Sequence, residues 1–152
     1  MVRNEKRLCY AEPLFFSPAK RINKIMKNLF QAPNNYTPYV SLDQTGKFEF
    51  KGESHMEYPH QFYEPIFDWL NEFVATSKLP IQFDFKMRYY NTGTSRVFFE
   101  IFSLLEKHGA LVQINWYAPS RDTDMIDEGD SFQEDFPSLD FNVVIQREVA
   151  YE

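Results

Sequence analysis

The chain has 152 residues and a formal charge of −6, from 16 Lys and Arg against 22 Asp and Glu, which argues against general nucleic-acid affinity. Sixteen Phe, nine Tyr and two Trp supply the core of one domain, long enough to bury roughly two-thirds of its unfolded surface. The single cysteine, Cys9, excludes an internal disulfide and suits a reducing compartment. With no apolar run of about 18 residues, a cytoplasmic protein lacking an integral membrane segment is expected.

Residues 1–30 carry seven Lys or Arg against two acids, in contrast to the acidic remainder. Within them, SPAKRINKIMKNLF offers Ser17 as an N-cap and Pro18 at the first helical position, with Ile22, Ile25, Met26, Leu29 and Phe30 on one face. A basic amphipathic helix of this kind packs its apolar face on the domain, or docks on an acidic partner or a membrane surface. QAPNNYTP then reads as a linker. Residues 1–36 are therefore expected to form a basic extension, and residues 37–152 the domain proper.

The domain opens with YVSLD and KFEFKG, two strands expected to pair across the turn DQTG. A helix is expected over residues 62–74, with Phe62, Ile66, Trp69, Leu70 and Phe73 inward and Pro65 in its first turn. IQFDFKMRY then alternates strictly, with Ile81, Phe83, Phe85, Met87 and Tyr89 on one side and Gln82, Asp84, Lys86 and Arg88 on the other. A second helix is expected over 94–108, with Val97, Phe98, Ile101, Leu104 and Leu105 inward and Gly109 as its stop. VQINWY is a further alternating strand. A shorter helix over 124–134 turns Met125, Ile126, Gly129 and Phe132 inward, and LDFNVVIQ closes the series. Parallel strands buried on both faces read as continuous apolar runs, and these do not. The expectation is an α/β domain of two layers, a mixed sheet of about five strands with helices on one face.

Familiar catalytic signatures are missing. His55 and His60 are wrongly spaced for a helical zinc pair, and neither they nor His108 have Cys or His companions to complete a site. The acidic run DTDMIDEGDSFQED fails as a calcium loop, since in a loop beginning at Asp122 the sixth position, where glycine is needed, is Asp127. It reads as a solvated helix face or an acidic docking surface. No phosphate-binding glycine loop or nucleophile elbow is present. No catalytic residue, metal or cofactor is expected.

What stands out is MRYYNTGTSR, a strand-to-helix corner crowded with Asn91, Thr92, Gly93, Thr94 and Ser95 and followed by Arg96. One helix needs one N-cap, and here four residues could serve. A hydroxyl nucleophile would need a base in reach, and His108 lies a helix length away, about 20 Å. A phosphate on Thr92 would add about two negative charges, within reach of Arg96 and the free N–H groups of the helix start, with Gly93 allowing close approach. From the residues alone the corner is a cap that could also accept a phosphate.

A series of motifs in order from about Thr37 to Ile145, TPYVSLD, FEFKGESHMEYP, FYEPIFDWLNEF, FKMRYYNTGTSR, VQINWY and DTDMIDEGDSF, resembles the SiaC family of bacterial regulatory phosphoproteins. The resemblance implies a non-enzymatic switch, similar in logic to anti-sigma-factor antagonists. In such a switch a protein kinase phosphorylates a threonine at the corner, a PP2C-type phosphatase clears it, and the unmodified form engages a GGDEF-type diguanylate cyclase to raise cyclic di-GMP. The family's phosphothreonine falls on Thr92, with Asn91, Gly93, Thr94, Ser95 and Arg96 around the phosphate. Gly93 and Thr94 stand where the family has serines, Arg96 stands for lysine, and His60 replaces a glutamate. The partner surface is expected to include Tyr90, Asp122, Asp124 and Asp127. The competing readings are a hydrolase built on the hydroxyls of residues 92–95 and an adaptor docking through the basic N-terminal helix.

Overall fold

Alternate residues along each long strand divide by burial in the computed structural model, which describes residues 26–108 and 111–147. Strands β1 (Leu29–Gln31), β2 (Tyr39–Leu42) and β3 (Lys47–Ser54) come first. Helix α1 (Pro59–Thr76), β4 (Ile81–Tyr90), α2 (Thr92–Leu105), β5 (Val112–Pro119), α3 (Thr123–Asp135) and β6 (Asp140–Gln146) follow. The strands form one sheet in chain order, antiparallel from β1 to β3 and parallel from β3 to β6. Crossovers between parallel strands are right-handed as a rule, and each of these steps the same way across the sheet. That combination puts α1, α2 and α3 on one face.

Phe48, Phe50, Phe83, Phe85, Ile114 and Trp116 are at most 2% exposed and form one core with the inward residues of all three helices. Their rings meet both edge to face, as in Phe50–Phe83 at 4.9 Å and Phe85–Phe98 at 5.1 Å between centroids, and stacked, as in Phe83–Phe85 at 4.4 Å, the arrangements ring quadrupoles favour. On the opposite sheet face the polar alternates pair with one another. Asn115 Nδ2 donates to Asp84 Oδ1 at 2.9 Å, and Lys86 Nζ lies 2.9 Å from Glu49 Oε2. Among the described residues no helix covers this face, as alternation predicts. Nor, among them, is any helix long and apolar enough to cross a membrane.

Four details depart from expectation. The sheet has a sixth strand, because Leu29–Gln31 pair with β2 (Leu29 opposite Leu42) instead of ending a helix. An open strand edge offers main-chain partners, and that tertiary pairing overrides helix propensity even at a good helix former such as Leu29. Just before them, Lys27 O accepts a bond of 2.7 Å from Trp69 Nε1 of α1. The remainder of the expected N-terminal helix, up to residue 25, lies outside the described residues, as does Gly109. Second, α1 begins at Pro59, so Pro65 sits inside the helix. A proline at the helix start loses no hydrogen bond, whereas Pro65 removes one, and the buried face of Tyr63, Ile66, Leu70 and Phe73 holds the helix regardless. Third, Tyr63 and Phe102 are fully buried although the apolar spacing pointed to their neighbours. Fourth, the β3–β4 register shifts at Gly52/Glu53, so that Met87 pairs with Gly52 and Tyr89 with Glu53. This bulge reverses the alternation beyond Arg88. Tyr89, expected inward, is 47% exposed, and Tyr90 turns to the core instead.

Candidate functional site

The corner between β4 and α2 assigns its side chains to different tasks. Asn91 is the N-cap of α2: its Oδ1 accepts from Thr94 N at 3.0 Å, its carbonyl from Ser95 N at 3.0 Å, and its Nδ2 donates to Met56 O at 2.8 Å. Thr94 is fully buried, and its Oγ1 lies 2.8 Å from Ser54 Oγ. Gly93 packs against α1, where an added Cβ would meet Pro59 Cγ at 3.0 Å. Its bareness serves helix packing at this contact. Thr92 is left exposed at the first position of α2, with Ser95 half-buried one turn on. The apparent excess of capping residues is resolved: one caps, one is buried, and two face out.

Those two look into a groove of about 830 Å³ between the start of α2 and helix α3. Thr92, Ser95, Arg96 and Phe99 line one wall, at the i, i+3, i+4, i+7 spacing of a single helix face. Asp124, Asp127, Glu128, Ser131 and Asp135 of α3 line the other, with Asp122 at its foot, and Arg88, Tyr89 and Tyr90 form the floor. The groove thus brings together Thr92, Ser95, Arg96, Tyr90, Asp122, Asp124 and Asp127 and excludes Asn91, Gly93 and Thr94 from its lining. Phe99, 44% exposed, was not anticipated, though it lies seven residues after Thr92. Glu128, Ser131 and Asp135 were equally legible as the helical continuation of Asp124 and Asp127. Arg88 lies on the polar side that alternation assigns it, whereas Tyr89 is turned out by the β-bulge, whose one sequence mark is the isolated Gly52 inside β3, at φ +110°.

Tyr90 braces the two walls. Its ring contacts Phe98 of α2 and Trp116 of β5, and its hydroxyl donates to Glu128 Oε1 of α3. Burial, then the Glu128 carboxylate, raises its pKa far above the ordinary tyrosine value, so it stays a neutral donor. Asp122 caps α3, accepting from Met125 N at 3.0 Å. Gly129 lets α3 settle on the indole of Trp116, whose Nε1 donates to Met125 O at 2.9 Å. The lining holds five carboxylates and two arginines, and one of these, Arg88, is engaged with Glu53 at 3.2 Å. Arg96 sits one turn above Thr92, well placed to meet a charge added there.

No histidine lines this groove. His55 bonds Glu53 at 2.7 Å and stacks on Tyr89, His60 lies 3.5 Å from Glu100, and His108 is buried with Nε2 2.8 Å from Leu79 O. Among the described residues no group of three or more His, Cys, Asp or Glu could hold a metal ion.

Known proteins share this fold. A crystal structure of apo-SiaC from Pseudomonas aeruginosa superposes with a TM-score of 0.69 at 25% identity, covering 80% of this chain and 99% of that one. The crystal structure of the diguanylate cyclase SiaD in complex with its activator SiaC, from the same organism, contains a chain matching with a TM-score of 0.70 at 25% identity, over 79% of this chain and 99% of that one. In sequence, an uncharacterised protein of P. aeruginosa strain UCBPP-PA14 is 26% identical over 114 residues, covering 72% of this chain and 90% of the relative. The model of the SiaC family of regulatory phosphoproteins matches residues 31–146, a span from β1 to the end of β6 that includes the whole Thr92 groove. This chain belongs to the SiaC family of regulatory phosphoproteins.

Proposed function

We propose that this protein is a non-enzymatic regulator switched by phosphorylation of Thr92. A protein kinase adds the phosphate and a PP2C-type phosphatase removes it. The unmodified form binds and controls a GGDEF-type diguanylate cyclase, and so cyclic di-GMP output, through Tyr90, Asp122, Asp124, Asp127 and the helix face of Thr92. The observation that carries this reading is the position of Thr92: exposed at the first residue of α2, inside a groove, with Arg96 one turn above. Membership of a regulatory phosphoprotein family supports it, as does the likeness to a SiaC that is solved as the activator in a cyclase complex. A hydrolase is disfavoured because the groove offers the hydroxyl no histidine base.

The mechanism is electrostatic. Unmodified, Thr92 presents a neutral hydroxyl facing an acidic wall. Phosphorylated, it adds about two negative charges and three acceptor oxygens. Arg96 and the free N–H groups of the first turn meet part of that charge, so the fold survives. A partner patch fitted to the neutral Thr92 hydroxyl would instead bury an unmatched charge, weakening binding by about 100-fold. The test is a titration of the diguanylate cyclases encoded by the same genome with wild type, Thr92→Ala and Thr92→Glu, alongside phosphosite mapping of protein from its own host. Thr92→Ala should bind like wild type and take up no phosphate, while Thr92→Glu should fold and bind poorly. Full binding by Thr92→Glu, or a phosphate mapped elsewhere, would refute the assignment.

A further inference from the structure

Behind the groove lies a second set of hydroxyls that the switch itself does not use. Tyr63 OH, Ser54 Oγ and Thr94 Oγ1 form a chain with links of 3.2 Å and 2.8 Å, and all three residues are fully buried. Buried hydroxyls are costly unless paired. Here α1, the end of β3 and the first turn of α2 contribute one each, so the pairing ties three elements together. Ser54 also accepts from Asn91 N through its carbonyl at 3.3 Å, and Met56 O two residues on accepts from Asn91 Nδ2 at 2.8 Å. The first turn of α2 is thereby fastened to the end of β3 at three points.

Helix geometry converts this fastening into a choice of hydroxyl. Successive residues turn by about 100°, so with Thr94 pinned inward, Thr92 falls on the outer side and Ser95 at its margin, matching their observed burial. We propose that Ser54 is a positioning residue for modification at Thr92: by holding the Thr94 hydroxyl in the core, it determines which hydroxyl of the corner a modifying enzyme can reach. The inference rests on the phosphoswitch reading of Thr92. Without the Ser54 hydroxyl, Thr94 Oγ1 must seek water, the first turn opens, and Thr94 and Ser95 compete with Thr92.

Two measurements on the full chain test this. In amide hydrogen exchange of recombinant protein, Ser54→Ala should speed exchange at Thr94 and Ser95, whose N–H groups bond Asn91, by about tenfold, leaving Met125 of α3 unchanged. In protein expressed in its native host, phosphosite mapping should place the phosphate of wild type on Thr92 alone, and that of Ser54→Ala partly on Thr94 or Ser95. Tyr63→Phe retains the Ser54–Thr94 link, and Val40→Ala destabilises the core on β2, so both should keep the wild-type distribution. Should Ser54→Ala not fold, Ser54→Cys, with its weaker donor, is assessed by the same two readouts. Unchanged exchange at Thr94 and Ser95 overturns the positioning role whatever the state of modification. Phosphate confined to Thr92 in Ser54→Ala does the same, as does redistribution in Val40→Ala, which would make it a generic effect of instability. Wild type without phosphate on Thr92 overturns the switch, and this role of Ser54 with it, even where exchange responds as expected.

Discussion

Replacing Gly129 by alanine adds one carbon on the buried side of α3, where two effects of opposite sign meet. Alanine is the better helix former by about 1 kcal/mol, so a free helix would gain. In the folded protein the new Cβ would stand 2.5 Å from Trp116 Cδ1 and 2.9 Å from its Nε1. The indole has little room to retreat. It is 1% exposed, its centroid lies 5.3 Å from Phe132 and 5.6 Å from Phe85, and its N–H is committed to Met125 O. Helix α3 must therefore move. Overpacking costs about 1–3 kcal/mol, and an indole N–H left buried without its partner costs about 1–3 kcal/mol more. Packing outweighs propensity, for a net loss of about 2 kcal/mol or more, roughly 6 °C in Tm for a domain of this size. Urea unfolding followed by tryptophan fluorescence, with a thermal scan, measures it. Because α3 carries Asp124 and Asp127, partner affinity should fall as well. A Tm equal to or above wild type would refute the packing argument and the close seat of α3 on Trp116.

Three further outcomes are expected. Asn91→Ala should cost about 1–2 kcal/mol through loss of the α2 cap, whereas Thr92→Ala should stay within about 0.5 kcal/mol; the reverse order in thermal scans would make Thr92 the cap. Removal of residues 1–25 should preserve cooperative unfolding, while removal of residues 1–31 should lower Tm by several degrees, since it takes away β1 and the Lys27 carbonyl bonded to Trp69; equal Tm values for the two truncations would contradict this. Asp43 is held below its ordinary pKa by the Thr45 backbone N–H and then the Thr45 hydroxyl. A carboxyl depressed in the folded state adds stability above its unfolded pKa that is lost as pH falls through the folded value. Asp43→Asn should thus flatten the loss of stability below about pH 4, and urea midpoints at pH 7 and pH 3 that fall equally in both proteins would refute it.

Much of the molecule is a local matter. Period-two alternation in IQFDFKMRY and VQINWY commits one side of each strand to the core whatever the neighbours are, so two layers with one open polar face follow from the chain alone. The 3.6-residue spacing of Val97, Phe98 and Ile101, or of Met125, Gly129 and Phe132, likewise commits the helices, and the crowded Thr92 corner is visible as composition. What composition does not contain is which hydroxyl turns in. Asn91, Thr92, Thr94 and Ser95 are all acceptable at a helix start, and the decision is made by groups far along the chain: Ser54 and Tyr63, which pair with Thr94, and Pro59, which presses on Gly93. The sixth strand has the same origin, since the helix propensity of Leu29–Gln31 yields to the pairing that the open edge of β2 offers. So does the exposure of Tyr89, which follows from a register shift against β3. Side-chain periodicity is a property of one segment and can be read from it. Register, edge pairing and the burial of a single hydroxyl are properties of two segments in contact, and only the tertiary structure decides them.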